Sequence, residues 1–251
     1  MKMFLSWRGW ALGLVLLPFS ALAAGPDLVT AVEKGDEALV KQLLAQGADP
    51  NSKTAKGDPA VFVALVKRRV NIALLLLQQP GVNANAKNQY GAPLLHTAAS
   101  NGDASVVTAL IQRGADVNSK FAPYENMTAL MLAAQDGYLE VVDLLIKAKA
   151  DVNARTTSGD TALIAASAKG NKEVIRHLIA AGADVNIKTE SGYTALFIAI
   201  NEGNADVVEL LLQKGANPNV RDSQGVTPLS LAESMDETAI VTILRRSGAK
   251  K

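Results

Sequence analysis

The chain has 251 residues, a formal net charge of +1 and no cysteine. The absence of cysteine excludes disulfides, thiol catalysis and cysteine-bound metals, and the near-zero charge does not favour nucleic acid or an anionic membrane as a partner. Aromatic residues make up only 4% of the chain, which is typical of thin helical layers that bury small and branched aliphatic side chains.

The N-terminal segment has the three parts of a secretory signal peptide. Lys2 and Arg8 precede an apolar run at residues 10–17, and small residues permit cleavage after Ala23. A retained membrane anchor is the alternative, although the run is short for a membrane span. We therefore predict a signal peptide over residues 1–23 and no membrane span after its removal, which changes the formal charge from +1 to −1.

Beyond this segment, two motifs recur with a common period of about 33 residues. The string Gly-Ala-Asp-x-Asn begins at Gly47, Gly114 and Gly182, and close variants, such as the Gly-Ala-Asn-Pro-Asn that begins at Gly215, fill the remaining periods. The second motif, Thr-Ala-Leu or Thr-Pro-Leu, begins at Thr128, Thr161, Thr194 and Thr227. A fixed period of this length indicates a solenoid of stacked repeats.

Each repeat is predicted to contain two short helices and a connecting hairpin. The threonine hydroxyl suits the N-cap of a first helix, and a glycine nine residues later, such as Gly137 or Gly170, ends that helix in a left-handed conformation. Apolar residues three and four apart predict a buried second helix, which the glycine of Gly-Ala-Asp ends. Turn-forming residues then return the chain to the next repeat.

The repeat resembles the ankyrin repeat. The resemblance rests on Leu95-His96-Thr97-Ala98-Ala99, on Thr227-Pro228-Leu229 and on the Gly-Ala-Asp strings, all in phase. It implies an all-α fold, an α-solenoid of about seven stacked repeats whose helix-turn-helix pairs are joined by β-hairpin loops. The predicted ankyrin-repeat domain covers residues 24–251, with repeats at approximately 26–54, 55–88, 89–120, 121–155, 156–188, 189–221 and 222–251.

An array of this kind implies a protein-binding module, because stacked repeats present a long surface and usually carry no catalytic pocket. The sequence has no Ser-His-Asp order, phosphate loop or metal-spaced cluster, so we predict no catalytic residue, no cofactor and no metal. The family uses the position of His96 to hydrogen-bond between hairpins. We expect His177 to be a half-exposed spacer in a second helix, and the protein to be a monomer that binds a protein partner.

Three of the four tyrosines, Tyr90, Tyr124 and Tyr193, lie in the connecting hairpins. In ankyrin arrays the hairpin tips and the adjoining first helices form the concave binding face, so these rings are candidate anchors for a partner. The alternative is that each ring packs against its neighbouring hairpin. Phe121 belongs to a hairpin that is two residues longer than the others, and it either joins the tyrosine patch or folds beneath it.

The positions that differ most between repeats are the hairpin tips and the two residues before each helix-ending glycine. Such positions are free of the demands of the framework and can encode a partner. The predicted partner-binding residues are Tyr90, Phe121, Tyr124, Glu125, Met127, Gln135, Asp136, Asp160, Lys169, Glu190, Tyr193, Asn201 and Glu202. The predicted structural residues are Thr128, Thr161, Thr194, Thr227, His96, Gly114, Gly182 and Gly215.

Several residues depart from the repeat pattern. Arg68, Lys149 and Asp236 replace glycines that end helices, and Asn126 replaces the hairpin glycine. The basic turn Lys67-Arg68-Arg69 is either a solvated loop or a contact for an acidic partner. A basic column two residues after each repeat asparagine is either framework or an anion site; it comprises Lys53, Lys87, Lys120, Arg155, Lys188 and Arg221.

The leader and the lack of cysteine are similar to those of exported bacterial ankyrin proteins, so the expected location is the periplasm. Within that class the resemblance implies either a helper of a periplasmic catalase in oxidative defence or an immunity protein against a secreted toxin. In both, the array binds a folded partner and stabilises or inhibits it. An envelope scaffold that binds along its convex side is the alternative from another class, and an enzyme is the third.

Overall fold

The computed structural model describes residues 27–250, so the predicted signal peptide and its cleavage site lie outside the described residues. Within this range the chain forms fourteen α-helices. In chain order they are α1 (Leu28–Lys34), α2 (Glu37–Ala45), α3 (Ala60–Val66), α4 (Val70–Gln78), α5 (Leu94–Asn101), α6 (Ala104–Gln112), α7 (Ala129–Asp136), α8 (Leu139–Lys147), α9 (Ala162–Lys169), α10 (Lys172–Ala180), α11 (Ala195–Asn201), α12 (Ala205–Gln213), α13 (Pro228–Ser234) and α14 (Thr238–Arg246).

The helices form seven consecutive pairs, from pair one (α1 and α2) to pair seven (α13 and α14), and the two helices of every pair contact each other. The first helices of the pairs, which carry the odd numbers, pack side by side in one row. The second helices, which carry the even numbers, pack in another row. Each pair therefore contacts its sequence neighbours through both layers. This arrangement confirms the predicted α-solenoid of seven repeats.

Side-chain size explains the two rows. Each first helix carries at least one fully buried alanine, and one such alanine recurs at nearly constant spacing, at Ala31, Ala64, Ala98, Ala133, Ala166, Ala199 and Ala232. The second row is filled by larger side chains, among them the fully buried Leu110, Leu145, Leu178, Leu211 and Leu244. Small residues let neighbouring first helices approach closely, and the leucines fill the space between second helices. The core therefore extends along the whole described array.

Hairpins connect the pairs at residues 53–59, 87–93, 121–127, 156–160, 189–193 and 222–226. The first three carry single antiparallel bridges, Lys53 to Pro59, Lys87 to Pro93 and Phe121 to Met127. In the third hairpin the extra residues fold into a 3₁₀ turn at Ala122–Tyr124. The longer loop is thus absorbed as a compact turn above the first-helix row.

Threonine starts the first helices of pairs four to seven, but its hydroxyl is used in only three of them. Thr128, Thr161 and Thr227 accept hydrogen bonds from the backbone N–H three residues ahead, at 3.3, 3.3 and 3.1 Å. Thr194 has the same extended backbone, yet it makes no cap hydrogen bond and its buried hydroxyl has no partner among the described residues. Thr194 therefore occupies the N-cap position of α11 as predicted, but the predicted hydrogen bond of its hydroxyl is wrong for this residue.

The residues that replace glycine keep the left-handed backbone. Arg68, Lys149 and Asp236 have φ of 55°, 68° and 58°. Glu125 and Asn126 in the longer hairpin have φ of 53° and 61°. A left-handed conformation is costly for residues with a Cβ atom, so the stacking of the neighbouring pairs imposes this geometry on non-glycine residues.

Asparagines in the loops that follow the second helices join successive pairs. Asn153 is typical, because its Nδ2 donates to the Gly182 carbonyl at 3.1 Å and its Oδ1 accepts from the Asp184 N–H at 2.8 Å. The same two bonds recur at Asn51, Asn85, Asn118, Asn186 and Asn219. The asparagine of the repeat motif is therefore a connector between repeats.

The described helices are all short: none of them has the length and apolar character needed to cross a membrane.

Candidate partner-binding face

The hairpins and the first helices form one side of the array, which we call the hairpin face. Five large apolar side chains are exposed in the described part of the chain, and all of them belong to this face or to the end of one of its helices. They are Val66 (55% exposed), Tyr90 (69%), Tyr124 (59%), Tyr193 (40%) and Met235 (38%). Exposed apolar groups gathered on one side of a protein indicate a binding surface.

Phe121 and Tyr124 form a small aromatic cluster in the longer hairpin. Their rings stack with centroids 6.4 Å apart and an interplanar angle of 17°. Phe121 also meets the ring of His96 edge-on, with centroids 6.4 Å apart. Phe121 therefore supports the exposed Tyr124 from beneath and connects it to the buried core.

Tyr193 forms one wall of a cleft between pairs six and seven. Its ring lies 5.7 Å from that of the buried Phe197. The cleft has a volume of about 350 Å³ and is lined by Tyr193, Phe197, Ile198, Asn201, Asp222, Gln224, Val226 and Leu231. It is a mainly apolar recess on the hairpin face with a polar edge.

A second cleft lies at the other end of the hairpin face. It has a volume of about 520 Å³ and combines apolar residues of α3, namely Phe62, Val63 and Val66, with the charged Lys56 and Lys67. Glu33 and Asp58 also line it. More polar and charged residues line this cleft than line the cleft beside Tyr193.

The tips of successive hairpins are held together by hydrogen bonds. The Thr157 N–H donates to the Glu125 carbonyl at 2.8 Å, and Ser158 Oγ donates to Glu125 Oε2 at 2.7 Å. The Glu190 N–H donates to the Ser158 carbonyl, and the Ser223 N–H to the Ser191 carbonyl, both at 2.9 Å. These bonds fix the relative positions of the tips before a partner arrives, which lowers the entropic cost of binding.

The predicted binding residues differ in how far they reach solvent. Asp136, Lys169, Glu190, Asn201 and Glu202 are exposed. Others are half-buried and already make contacts within the array. Met127 packs on the core, and its backbone carbonyl accepts from His96. The backbone carbonyl of Gln135 accepts from Asn171, and the Asp160 carboxylate accepts from Ser158. The first group is therefore better placed to touch a partner than the second.

His96 connects pairs three and four. Its Nε2 lies 2.9 Å from the Met127 carbonyl, and since a carbonyl only accepts, Nε2 carries the proton. Its buried Nδ1 has no partner among the described residues. Burial lowers the pKa of His96, while the Met127 carbonyl acts in the opposite direction. The predicted structural hydrogen bond is present, although it joins α5, in which His96 lies, to hairpin 121–127 and does not link two hairpins.

His177 does more than the predicted spacer. Its Nδ1 lies 2.7 Å from Asp143 Oδ1, which joins α10 to α8. The two residues are 34 positions apart, one repeat, so the pair forms because repeats place equivalent second helices side by side. His177 is partly exposed in a second helix as predicted, but the spacer role is wrong, because the imidazole makes a specific contact with the preceding pair.

The basic turn at Arg68 contributes mainly to the framework. The Arg68 guanidinium donates to the Asn101 carbonyl of pair three at 2.6 Å. The Arg69 guanidinium donates to the Glu33 carbonyl of pair one at 3.2 Å and lies over Gly35. The turn therefore connects pair two to both neighbours, and only the exposed Lys67 faces the cleft.

The basic column also makes contacts within the array. Arg155 donates to the Lys188 carbonyl at 2.7 Å, and Lys188 donates to the Arg221 carbonyl at 3.1 Å. Each of these two cations reaches the equivalent residue one repeat further on, and Arg221 bonds the Gly225 carbonyl of its own hairpin. These contacts favour the framework interpretation over a site for an anionic ligand.

Some residues of the face were missed from the sequence, although a signal for them exists. Val66 and Met235 occupy the positions just before the left-handed residues Arg68 and Asp236, where the other repeats vary. Phe197 stands where the next repeat has only Ser230. Applying the same rule of variation to the irregular repeats would have identified Val66 and Met235.

Comparison with known proteins gives one family. A model of ankyrin repeats in three copies matches residues 28–121, 121–189 and 181–251. Over 91 residues the chain is 40% identical to alpha-latrocrustotoxin-Lt1a of Latrodectus tredecimguttatus, covering 36% of this chain and 6% of the toxin. It is 33% identical over 93 residues to alpha-latroinsectotoxin-Lt1a of the same species, covering 37% of this chain and 6% of that toxin.

A plant protein shows the same limited kind of match. The E3 ubiquitin-protein ligase KEG of Arabidopsis thaliana is 38% identical over 87 residues, covering 34% of this chain and 5% of the ligase. The matched segments thus span about one twentieth of these relatives. The similarity concerns a few repeats within much longer proteins.

Proposed function

Because this chain belongs to the ankyrin-repeat family, we propose that it is a non-catalytic periplasmic module that binds one folded protein partner through its hairpin face. One observation carries the choice of face: the large exposed apolar side chains of the described residues all lie on it or at the end of one of its helices. Tyrosine is a favourable anchor, since it offers a large rigid contact area.

The rigidity of the face supports the same proposal. The hydrogen bonds between hairpin tips and the stacking of Tyr124 on Phe121 hold the contact residues in place. Binding to a preformed surface loses little conformational entropy. The array then either stabilises its partner or blocks the surface that the partner needs for its activity.

Two biological roles fit a partner-binding array in the periplasm: help to a catalase in oxidative defence, and immunity to a secreted toxin. They differ in what binding does to the partner. A helper raises the yield or lifetime of active enzyme, whereas an immunity protein abolishes the activity of the toxin. Measuring the activity of the captured partner with and without the array separates the two roles.

The proposal is tested by affinity capture from periplasmic extract with residues 24–251, followed by mass spectrometry. We expect one stoichiometric partner. The variant Tyr90→Ala/Tyr124→Ala/Tyr193→Ala should capture at least tenfold less of it, because truncation of central interface tyrosines costs about 2 kcal/mol or more for each hot spot.

A matched triple variant on the second helices is the control: Glu140→Ala/Glu209→Ala/Gln213→Ala changes three exposed residues of α8 and α12. It should capture the partner as the wild type does. Unchanged capture by the tyrosine variant, with loss in the control variant, would place the partner on the second-helix side and favour an envelope scaffold.

A further inference from the structure

We propose that the cleft between pairs six and seven is an anchor pocket for a partner segment that carries one large apolar side chain flanked by lysine or arginine. This inference rests on the proposed function, since it names the chemistry of the partner at one place on the hairpin face. The cleft is lined by residues of hairpins 189–193 and 222–226 and of α11 and α13.

The walls of the pocket select an apolar group. Phe197 is buried and lies against the partly exposed ring of Tyr193; the ring centroids are 5.7 Å apart and the interplanar angle is 42°. Ile198, Val226 and Leu231 complete the apolar lining. The volume of about 350 Å³ falls within the usual range of ligand sites, and an apolar side chain that leaves water for this space gains free energy.

The rim of the pocket selects positive charge. Asp222 belongs to the lining, and its Oδ1 is fixed by the N–H groups of Gln224 and Val226, both at 2.8 Å. Glu202 is exposed and follows directly on Asn201, which also lines the cleft. Glu190 is exposed in the same hairpin as Tyr193. Among residues 27–250, no lysine or arginine lines the cleft.

The nearby cations are directed at the framework. Lys188 donates to the Arg221 carbonyl, and Arg221 donates to the Gly225 carbonyl at 2.8 Å. Arg245 is paired with Glu233 at 2.8 Å. At the other end of the face, the cleft of pairs one to three has Lys56 and Lys67 in its lining. A segment with a basic flank is therefore better matched to the cleft of pairs six and seven.

The pocket is held open by the backbone. Hairpin 189–193 is tied to its neighbours by the Glu190 N–H to Ser158 carbonyl bond and by the Ser223 N–H to Ser191 carbonyl bond. Gly192 has φ of 82°, and a Cβ atom there would lie 2.8 Å from the Asp222 Cα. The two hairpins thus meet at a contact that only glycine allows, which sets the distance between the pocket walls.

The inference is tested by fluorescence polarisation with labelled nine-residue peptides and the purified protein. The probe has a central phenylalanine flanked by two lysines on each side in a glycine-serine background. Two matched peptides replace the phenylalanine by serine, or the four lysines by glutamate. We expect the probe to bind at least fivefold more tightly than either, and its affinity to fall with rising salt because the rim contributes charge attraction.

Variants of the protein locate the site. Tyr193→Ala should weaken probe binding at least fivefold, and Glu202→Lys should weaken it about threefold at low salt, because one attractive charge becomes repulsive. Glu209→Lys makes the same charge change at an exposed residue of α12 on the other side, and it should change the affinity less than twofold. Far-UV circular dichroism of each variant shows that the fold is kept.

Equal binding of the lysine and glutamate peptides, or equal effects of Glu202→Lys and Glu209→Lys, would overturn the inference. Its failure is distinguishable from failure of the proposed function. If the peptides do not bind but partner capture still depends on the three tyrosines, only the pocket inference is wrong. If partner capture is independent of the tyrosines, the proposed face itself is wrong, whatever the peptides do.

Discussion

His96 shows how one side chain can make the junction of two repeats sensitive to pH. It is buried, only its Nε2 has a hydrogen-bond partner among the described residues, and Phe121 closes over its ring. Protonation would add a charge and a second donor where no acceptor is available. Burial accordingly lowers the pKa of His96 below the ordinary value, with a smaller contribution from Lys87 in the same direction and from Asp116 in the opposite one.

The sign of the pH effect follows from that direction. The folded state binds the proton less readily than the unfolded state, so the contribution of His96 to stability is complete above the ordinary histidine pKa of about 6.5. It is lost as the pH falls from there toward the lower pKa of the folded state.

We therefore predict that the free energy of unfolding decreases as the pH is lowered below about 6.5, with a slope of up to about 1.4 kcal/mol per pH unit from this group. Urea denaturation at a series of pH values measures the slope. His96→Gln should be less stable at pH 7.5 but should show a flatter profile in this window. Identical slopes in the two proteins would contradict the assignment.

At the scale of single elements, the ends of the helices matter most. Most repeats end their helices with glycine, but Lys149 keeps the left-handed backbone at φ of 68°. Its side chain is exposed, and its hydrogen bonds are made by the backbone: the N–H donates to the Ile146 carbonyl at 2.9 Å, and the carbonyl accepts from Asn118 Nδ2 at 3.4 Å. The Lys149 side chain therefore contributes little that would offset the free-energy cost of the left-handed backbone.

Lys149→Gly should stabilise the protein by about 1 kcal/mol, because glycine removes the Cβ penalty of the left-handed conformation. Chemical denaturation of both proteins provides the measurement. Arg68→Gly is the matched control: Arg68 has φ of 55°, but its guanidinium bonds to the Asn101 carbonyl, so the gain should be cancelled by the lost contact. A larger gain at Arg68 than at Lys149 would contradict this explanation.

At the scale of the whole molecule, the array is a chain of similar interfaces. Each pair contacts its sequence neighbours through both rows, and each interface carries the two hydrogen bonds of one asparagine, as at Asn153. In such an array the stability is close to a sum of repeat terms and neighbour terms. Weakening one interface should therefore affect the local stability of different numbers of pairs, depending on whether the interface lies at the centre or at the end of the array.

Asn153→Ala and Asn219→Ala remove equivalent bonds at a central and at a terminal interface. Each change should cost roughly 1–3 kcal/mol, since two hydrogen bonds are lost. Hydrogen exchange should show loss of protection across pairs five to seven for Asn153→Ala, because the interface between pairs four and five couples them to the rest. For Asn219→Ala it should be confined to pair seven. Equal exchange patterns would show that the array unfolds as a single unit.

The fold could be predicted almost completely from the sequence, because its determinants are local. Thr128 and Gly137 set the start and the end of a helix through their own backbone and side-chain preferences. The same residue types recur with the period of the repeats and set the same helix ends in other pairs. The positions of Tyr90, Tyr124 and Tyr193 in hairpins follow from the same register. Asn126 was predicted to keep its turn, and its φ of 61° confirms it.

Several contacts between repeats were decided by the tertiary structure alone. The bond of Arg69 to the Glu33 carbonyl, the pairing of His177 with Asp143, and the orphan hydroxyl of Thr194 depend on rotamers and on the spacing of the stack. The cleft beside Phe197 also forms only when two hairpins and two helices from adjacent pairs come together. Local preferences determine which elements form, whereas the offset between stacked pairs determines which side chains meet.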